Sequence, residues 1–348
     1  MKSKKGWCVA PSSDFEIVNV MTFWSESADT KHCALKERAK YAPKSIPLEE
    51  YVNVWLSGTE CIKMLSMLHE TEKPGMELII CVRGDLDMDF IYEDETLTIS
   101  VVKAIHTGDI TSLKRLLEEN PGLATARIIG RGNNNESESC GMSRTLLHVV
   151  TDWPGHFPNG AATVGTLVEF GADLNARFTG SHTETPLHWA SSCDDIEVLD
   201  ALLDAGADIE APGAVIAGGT PLDDAVAFAQ WRAAHRLVKR GAQLALWHAA
   251  ALGQMDAMEA YFAGATLSER YPWGAKSSSP PDKITVAFWC ACHGGQRHSA
   301  EYLFDRGAEL NWISVWDGLT PLDAAKRSSA ADLVQWLRSQ GAKSSGEL

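Results

Sequence analysis

The sequence has no long hydrophobic run and no cluster of basic residues. Its 348 residues include no 18 consecutive apolar residues, so an ordinary transmembrane helix is excluded. Lysine and arginine number 31 against 46 aspartates and glutamates, which disfavours nucleic-acid and anionic-membrane partners. The apolar segment after the basic residues 2–5 is too short for a secretory signal. We therefore expect a cytoplasmic protein that binds neither nucleic acid nor membrane.

Motifs that hold phosphates, metals or activated nucleophiles are also missing. The sequence contains no Walker loop, no Gly-x-Gly-x-x-Gly and no Gly-x-Ser-x-Gly. The eight cysteines are scattered, as expected in a reduced protein. Cys290 and Cys292 are two residues apart on a predicted helix, where such side chains point apart, and zinc sites use wider spacings. We predict no metal and no cofactor.

A six-residue motif, Thr-Pro-Leu-His-Trp-Ala at 185–190, organises much of the chain. Related segments stand at 220–225 and 320–325, and a degraded copy at 145–150. Threonine suits a helix N-cap, and proline suits the first helical position because it has no N–H to leave unpaired. Each copy therefore predicts the start of a helix.

A second motif repeats in phase with the first. Gly-Ala pairs begin at positions 171, 206 and 241, and again at 307 and 341. The steps are 35 residues in the first group and 34 in the second, and the first two Thr-Pro copies are also 35 apart. Two motifs that keep one period indicate a structural repeat.

These motifs resemble the ankyrin repeat, in an arrangement similar to bacterial-type ankyrin-repeat proteins. The resemblance covers residues 97–343. It implies a mainly α fold, an ankyrin-repeat solenoid of about six to seven helix pairs with short β-hairpin turns. It also implies that protein partners bind the concave face, without catalysis. Residues 344–348 are predicted to be a flexible tail.

The first 96 residues lack the repeat, and we predict a small α+β module or irregular cap there, of unknown function. Alternating residues predict a strand at 15–24, and helical spacing predicts a helix at 48–68. A buried strand is predicted at 76–82, with residues 89–92 as its partner. Such a module would cover the apolar end of the array.

Apolar spacing and turn residues predict seven helix pairs after residue 97. Each helix is too short to be stable alone, so stacking of neighbouring pairs must supply the stability. The predicted pairs are 99–107 and 110–119, a helix that starts near 145 and 161–170, 185–192 and 196–205, 220–228 and 230–240, 242–252 and 255–262, 283–292 and 299–306, and 320–327 and 330–339.

The candidate binding residues lie at predicted hairpins and at the ends of inner helices. Trp153, Phe228 and Trp316 occupy positions where polar residues are expected, and exposed large aromatics are typical of binding hot spots. The loop at 153–160 is longer than a simple repeat needs. The predicted binding residues are Asp152, Trp153, His156, Ser181, His182, Glu184, Cys193, Phe228, Trp231, His293, Trp316 and Asp317.

Other aromatic and imidazole side chains are interpreted as structural. The resemblance places His148 and His188 at the histidine of the repeat motif, where the ring makes hydrogen bonds within the fold. Trp247 and Trp289 are assigned to the same position in the fifth and sixth pairs, where we expect them to fill volume.

The leading hypothesis is a protein-binding module, and the acidic balance favours a partner with a basic patch. A small-molecule binding protein, or an enzyme, is the alternative. Its site would be the groove between the 153–160 loop and the third and fourth repeats, lined by Trp153, Trp189, Trp231 and His182. Cys193 beside a histidine and an aspartate would be its nucleophile. A third possibility is that residues 1–96 carry the activity.

Overall fold

The computed structural model describes residues 90–130, 142–270 and 282–348 with their side chains, and four short strands nearer the amino terminus. The chain divides into two units, Met1–Asp87 and Met88–Leu348. The strand predicted at 15–24 and the helix predicted at 48–68 lie outside the described residues.

In the first unit, β1 (Lys2–Ser3) pairs antiparallel with β2 (Gly6–Trp7). Strand β3 (Tyr41–Ser45) pairs antiparallel with β4 (Ile79–Arg83), where a strand is predicted at 76–82. The prediction that residues 89–92 pair with the strand at 76–82 is wrong, because residues 89–92 belong to the second unit.

A three-stranded sheet opens the second unit. Strand β5 (Phe90–Tyr92) runs parallel to β6 (Arg127–Ile129), which is antiparallel to β7 (Ser143–Thr145). Ile91 and Ile128 are buried in this sheet, and their burial explains why residues 89–92 read as a strand. The guanidinium of Arg127 donates to the carbonyls of Ser143 and Arg177, at 2.9 and 2.6 Å. The sheet is thereby joined to the loop before the third helix pair.

The rest of the second unit is helical, with fourteen α-helices over the described residues. No helix in the ranges that the structure describes is both long and apolar enough to cross a membrane. The helices are α1 (Thr96–Thr107), α2 (Ile110–Glu119), α3 (Leu146–Thr151), α4 (Gly160–Glu169), α5 (Pro186–Ser192), α6 (Ile196–Asp204), α7 (Pro221–Ala227), α8 (Trp231–Lys239), α9 (Leu246–Ala251), α10 (Met255–Phe262), α11 (Lys283–His293), α12 (Arg297–Phe304), α13 (Pro321–Arg327) and α14 (Ala331–Ser339).

Contacts between the helices follow their order in the chain. Helices α1 and α2, α3 and α4, and so on to α13 and α14, contact each other as pairs. The first helices of successive pairs also contact one another from α1 through α13, and α2, α4, α6 and α8 form a second series. The core is correspondingly built from small and branched aliphatic residues of neighbouring pairs.

In two helix pairs, a buried histidine forms hydrogen bonds both to the start of the first helix and to the loop before the next pair. The ring of His188 lies 3.3 Å from the Gly219 carbonyl through Nε2 and 3.1 Å from the Thr185 backbone nitrogen through Nδ1. A carbonyl only accepts and a backbone N–H only donates, so the ring is neutral with its proton on Nε2. His148 makes the corresponding contact to the Glu184 carbonyl, at 3.1 Å. The structural interpretation of both histidines is confirmed.

The tryptophans assigned to this position are buried, as expected of residues that fill volume, and each also donates a hydrogen bond. Trp289 does take the histidine's role, since its Nε1 donates to the Leu319 carbonyl at 3.0 Å, and it does more than fill volume. In the fifth pair Trp247 also bonds the segment before the next pair, since its Nε1 donates to the Arg270 carbonyl at 3.1 Å, and the neighbouring His248 makes the contact to the N-cap. His248 stands three residues after the N-cap Ala245 and accepts from its backbone nitrogen through Nδ1, at 3.0 Å.

At the fourth pair the donor and the acceptor of the hydrogen bond to the next pair are exchanged. Asp223 replaces the histidine, and its carboxylate accepts from the Thr220 hydroxyl at 2.9 Å. A carboxylate has no proton to donate, so the fifth pair supplies the donor. Nε2 of His248 lies 2.9 Å from Asp223 Oδ1. Both side chains are buried. Burial lowers the pKa of His248, and the His248 hydrogen bond lowers the pKa of Asp223.

The carboxyl terminus, predicted to be a flexible tail, contains a 3₁₀ turn at Ser345–Glu347. Glu347 accepts from both terminal nitrogens of Arg338, at 2.7 and 3.0 Å. The Ser345 backbone nitrogen donates to Asp323 Oδ2 at 2.8 Å. These bonds attach the chain end to α13 and α14.

Candidate binding cleft

A depression of about 320 Å³, which we call the aromatic cleft, lies where the fourth, sixth and seventh helix pairs approach one another. It brings together four of the predicted binding residues from parts of the chain almost 90 residues apart. Its lining residues are Ala227, Phe228, Ala229, Trp289, His293, Trp316, Asp317 and Arg327.

The fifth pair lies between the contributing pairs in the chain, yet it supplies no lining residue. Its inner helix α9 is six residues long and ends in three buried alanines, 249–251. Helix α11 approaches it so closely that a Cβ on Gly294 would overlap the Ala251 carbonyl oxygen and lie 2.8 Å from its carbon. Small side chains on α9 therefore allow α11 to reach the end of α7.

His293 joins the two sides of the cleft. Its Nε2 lies 3.0 Å from the Val226 carbonyl at the end of α7, so this nitrogen carries the proton. Its Nδ1 is then free to accept, and a terminal nitrogen of Arg327 lies 3.3 Å away. Burial lowers the pKa of His293, which favours the neutral ring. The two hydrogen bonds then select this tautomer.

Aromatic rings fix the shape of the cleft. The rings of Trp289 and Trp316 meet edge to face at 5.0 Å, and Trp231 meets His293 at 5.2 Å. Arg327 lies over Trp289, 5.6 Å from the ring centroid, and donates to Asp317 Oδ2 at 3.0 Å. Phe228 is 44% exposed. The cleft thus combines a rigid aromatic wall, one exposed phenyl ring and one oriented guanidinium.

A second group of predicted residues surrounds the 153–160 loop. Trp153 is 82% exposed. The backbone nitrogen of His156 donates to Asp195 Oδ2 at 2.7 Å, and its Nε2 lies 3.1 Å from the Cys193 carbonyl. Asp152 forms an ion pair with Arg144 at 2.5 Å. The His156 bonds attach the loop to the start of the third pair's outer helix, and the Asp152 ion pair attaches the residue before the loop to β7.

The thiol of Cys193 does not have the environment of an activated nucleophile. Burial, together with the nearby carboxylates of Asp152 and Asp195, raises its pKa to about 11. Its Sγ donates to the Thr151 carbonyl at 3.6 Å, and the His156 ring contacts the backbone of Cys193. Thiolate formation is therefore disfavoured, which argues against nucleophilic catalysis here.

The third group contains Ser181, His182 and Glu184 in the loop before α5. Ser181 is exposed, whereas Glu184 is almost fully buried. Glu184 Oε2 accepts from Trp189 Nε1 and contacts His182 Nδ1, both at 3.0 Å. Trp153, Trp189, Trp231 and His182, which the small-molecule hypothesis places in one groove, thus have their described contacts in three separate clusters.

Glu184 also interacts with Asp224, a residue that sequence reasoning did not single out. Asp224 is completely buried, and its Oδ1 lies 3.4 Å from the backbone nitrogen of Ile216. Burial, with Glu184 as the second cause, raises the pKa of Asp224 well above its ordinary value. Two buried carboxyl groups in contact are stable when they share one proton.

Asp224→Asn is expected to stabilise the second unit, and increasingly so as pH rises. The raised pKa means that the folded chain keeps the Asp224 proton to higher pH than the unfolded chain does. Its stabilising contribution is therefore complete below pH 3.8 and is lost as pH rises through the folded-state pKa. An amide keeps the hydrogen bonding without ionising. Melting temperatures of variant and parent across acid, neutral and alkaline buffers measure the difference.

Asp256→Asn, at an exposed position in the first turn of α10, is the matched control. Its melting temperature should follow the parent's at every pH, within about 0.5 kcal/mol of stability. If the Asp224→Asn difference stayed constant or shrank with pH, the shared proton would be ruled out.

Within 90–130, 142–270 and 282–348, no three His, Cys, Asp or Glu side chains converge in a metal-binding arrangement. Cys290 and Cys292 are fully buried on α11, and burial raises the pKa of both thiols.

Besides two alanines, sequence reasoning missed two lining residues that carry polar groups, Trp289 and Arg327. Trp289 is predicted only to fill volume, although an indole in place of the repeat histidine also offers an N–H donor. Arg327 is not among the predicted binding residues. No local sequence signal brings it to His293, because that contact depends on how far α11 reaches.

Two protein-family models match the chain. Residues 1–72 match a family described as protein of unknown function (DUF2750). Residues 182–214 match the ankyrin repeat. A search of curated proteins finds no match. The chain therefore contains an ankyrin-repeat element that begins at the loop before α5 and ends beyond α6.

Proposed function

We propose that residues 97–343 form an ankyrin-type array of seven helix pairs that binds a protein partner and catalyses no reaction. The matched repeat at 182–214 supports this, as do the seven consecutive pairs and the unbroken contacts among their first helices. The loops and inner helices would form the concave binding face. Residues 1–96 would be a separate module of unknown function.

The aromatic cleft is the proposed centre of the interaction. The observation that carries this is the convergence of Phe228, His293, Trp316 and Asp317 on one depression with an exposed ring at its edge. Rigid aromatic side chains give large contact area at small entropic cost, and such residues dominate binding energies. The wall is preorganised by the Trp289 and His293 hydrogen bonds.

The charge of the array favours a partner with a basic surface. Residues 97–348 contain 20 lysines and arginines and 29 aspartates and glutamates, a net charge of 20 − 29 = −9. Long-range attraction of that sign speeds encounter with a basic partner and is screened by salt.

Phe228→Ala is expected to abolish stable partner capture by the full-length chain. Truncating a central aromatic anchor typically costs about 2 kcal/mol or more of binding free energy, a loss of at least roughly thirtyfold in affinity. Quantitative affinity purification with mass spectrometry compares the parent with the variant. A protein retained by the parent and lost with Phe228→Ala is the expected result.

Ile99→Ala provides the matched control, because Ile99 is an even more exposed apolar residue, 55% accessible, on the distant helix α1. That variant should capture the partner as the parent does. Equal capture by Phe228→Ala and the parent would show that the cleft is not the binding centre.

A second candidate function is binding of a small molecule in the same cleft. Its volume is at the low end of the range for ligand sites, and aromatic walls with a few polar groups are typical of them. A metabolite that raises the melting temperature of the parent but not of Phe228→Ala would favour this function. A library without such a compound would leave the protein-binding proposal as the better account.

A further inference from the structure

Among the described residues that line the aromatic cleft, Arg327 is the one cation, and most of its hydrogen-bonding capacity is unused. A guanidinium has five N–H donors. One terminal nitrogen donates to Asp317 at 3.0 Å and the other to His293 at 3.3 Å. The side chain remains 46% exposed. Three N–H donors, Nε–H included, are left for a ligand.

The same contacts hold the guanidinium in place before any ligand arrives. Asp317 is held by its own loop, since its Oδ1 accepts from the Leu319 backbone nitrogen at 3.1 Å. His293 is fixed by the Val226 carbonyl. The Trp289 ring supports the face of the guanidinium. An oriented arginine fork recognises a carboxylate by two parallel hydrogen bonds, and little side-chain entropy is lost on binding.

We propose that the aromatic cleft binds the carboxyl-terminal residue of a partner chain. Its terminal carboxylate would bind Arg327, and a large apolar side chain would pack between Phe228 and Trp316. This deepens the proposed function and rests on it.

A carboxyl-terminal residue fits the cleft better than an internal acidic segment. The cation and the aromatic wall are adjacent, so the ligand must carry a carboxylate and an apolar group close together. In a terminal residue both are attached to one Cα, whereas Asp and Glu carry no apolar side chain beyond the acid. A single terminal charge is also compatible with the acidic array, which would repel a segment rich in acidic residues.

The test uses a fluorescein-labelled peptide of alternating lysine and glycine that ends in phenylalanine, prepared with a free carboxylate and as the carboxamide. Fluorescence polarisation with the full-length chain gives the affinity of each form. The parent should bind the free acid at least tenfold more tightly than the amide. Arg327→Gln should bind the two forms equally, and Phe228→Ala should weaken both by a similar factor.

Arg327→Lys keeps the charge but not the fork, and should retain only part of the preference. Melting curves confirm that each variant is folded, and Arg327→Lys takes the place of Arg327→Gln if that variant fails this check. Equal affinity of parent for acid and amide, or no binding of either, overturns the proposal. If the peptide fails while Phe228-dependent capture of a protein holds, the carboxyl-terminal specificity is wrong and the protein-binding function stands.

Discussion

Gly294→Ala is expected to destabilise the second unit by more than about 3 kcal/mol, because the new methyl group has no space. Its Cβ would overlap the Ala251 carbonyl oxygen and lie 2.8 Å from the carbonyl carbon, both of which belong to the backbone of α9. A side chain can rotate away from such a clash, but a helix backbone cannot. Relief would require α11 to move away from α9, and the His293 contact with Val226 would then lengthen.

Gly165→Ala is the matched substitution in a place with room. Gly165 is an exposed residue inside α4, and a Cβ there meets nothing within 4 Å. Alanine favours the helix by about 0.5–1 kcal/mol over glycine, so this variant should be stabilised. Urea unfolding of the two variants should give shifts of opposite sign. A Gly294→Ala protein as stable as the parent would contradict the close packing of α9 and α11.

His188→Ala is expected to cost about 3–5 kcal/mol, the second large effect. The ring is fully buried and holds two backbone groups, the Thr185 N–H and the Gly219 carbonyl. Truncation leaves both groups buried without their partner, at about 1–3 kcal/mol each, and opens a cavity as well. The loss should appear as a lower urea midpoint.

The same ring makes stability depend on pH. Burial lowers the pKa of His148 and of His188 from 6.5 to about 4 in the folded chain. Both rings are therefore neutral when folded but become protonated near pH 6.5 when unfolded. The resulting stability is complete above pH 6.5 and is lost as pH falls towards 4, by on the order of 3 kcal/mol per ring.

The variant tests this directly, because His188→Ala has one such ring fewer. Its stability should fall less than the parent's between pH 6.5 and pH 4. His235→Ala, at an exposed position on α8, serves as control and should keep the parent's pH dependence. If His188→Ala lost stability with acid as steeply as the parent, protonation of this ring would not be the cause.

The helices could be predicted because their signals are local. Helices α2 and α10 begin and end where the apolar spacing predicts them, at Ile110–Glu119 and Met255–Phe262. Threonine and proline mark the starts of α5, α7 and α13. Capping and periodicity act within one or two turns, so one sequence contains the information.

The ties between pairs could be predicted only in part. The Thr-Pro-Leu-His motif identifies His188, but the fifth pair lacks both threonine and proline, and its two contacts are divided between Trp247, which bonds the Arg270 carbonyl, and a residue that the sequence does not indicate. His248 makes the contact there. Without an N-cap signal, nothing in the sequence indicates that the contact to the helix start comes from the residue after Trp247.

The aromatic cleft and the buried carboxyl pair lie beyond local reasoning. Phe228 and Trp316 were singled out for being aromatic at exposed positions, yet nothing in their spacing predicts that they share one cleft. That depends on how closely α11 approaches α9. Asp224 resembles an ordinary polar residue in the first turn of a helix. Only the depth of its burial and the approach of Glu184 make it unusual.

The hydrogen bond between His293 and the Val226 carbonyl connects the sixth helix pair directly to the fourth, although the fifth pair lies between them in the chain. Repeat arrays commonly fray from their ends one unit at a time. Here, loss of the sixth pair would also strip a partner from the end of α7, so the three pairs from α7 to α12 should open together. Amide hydrogens in that block should exchange with one common opening rate, slower than those of α13 and α14.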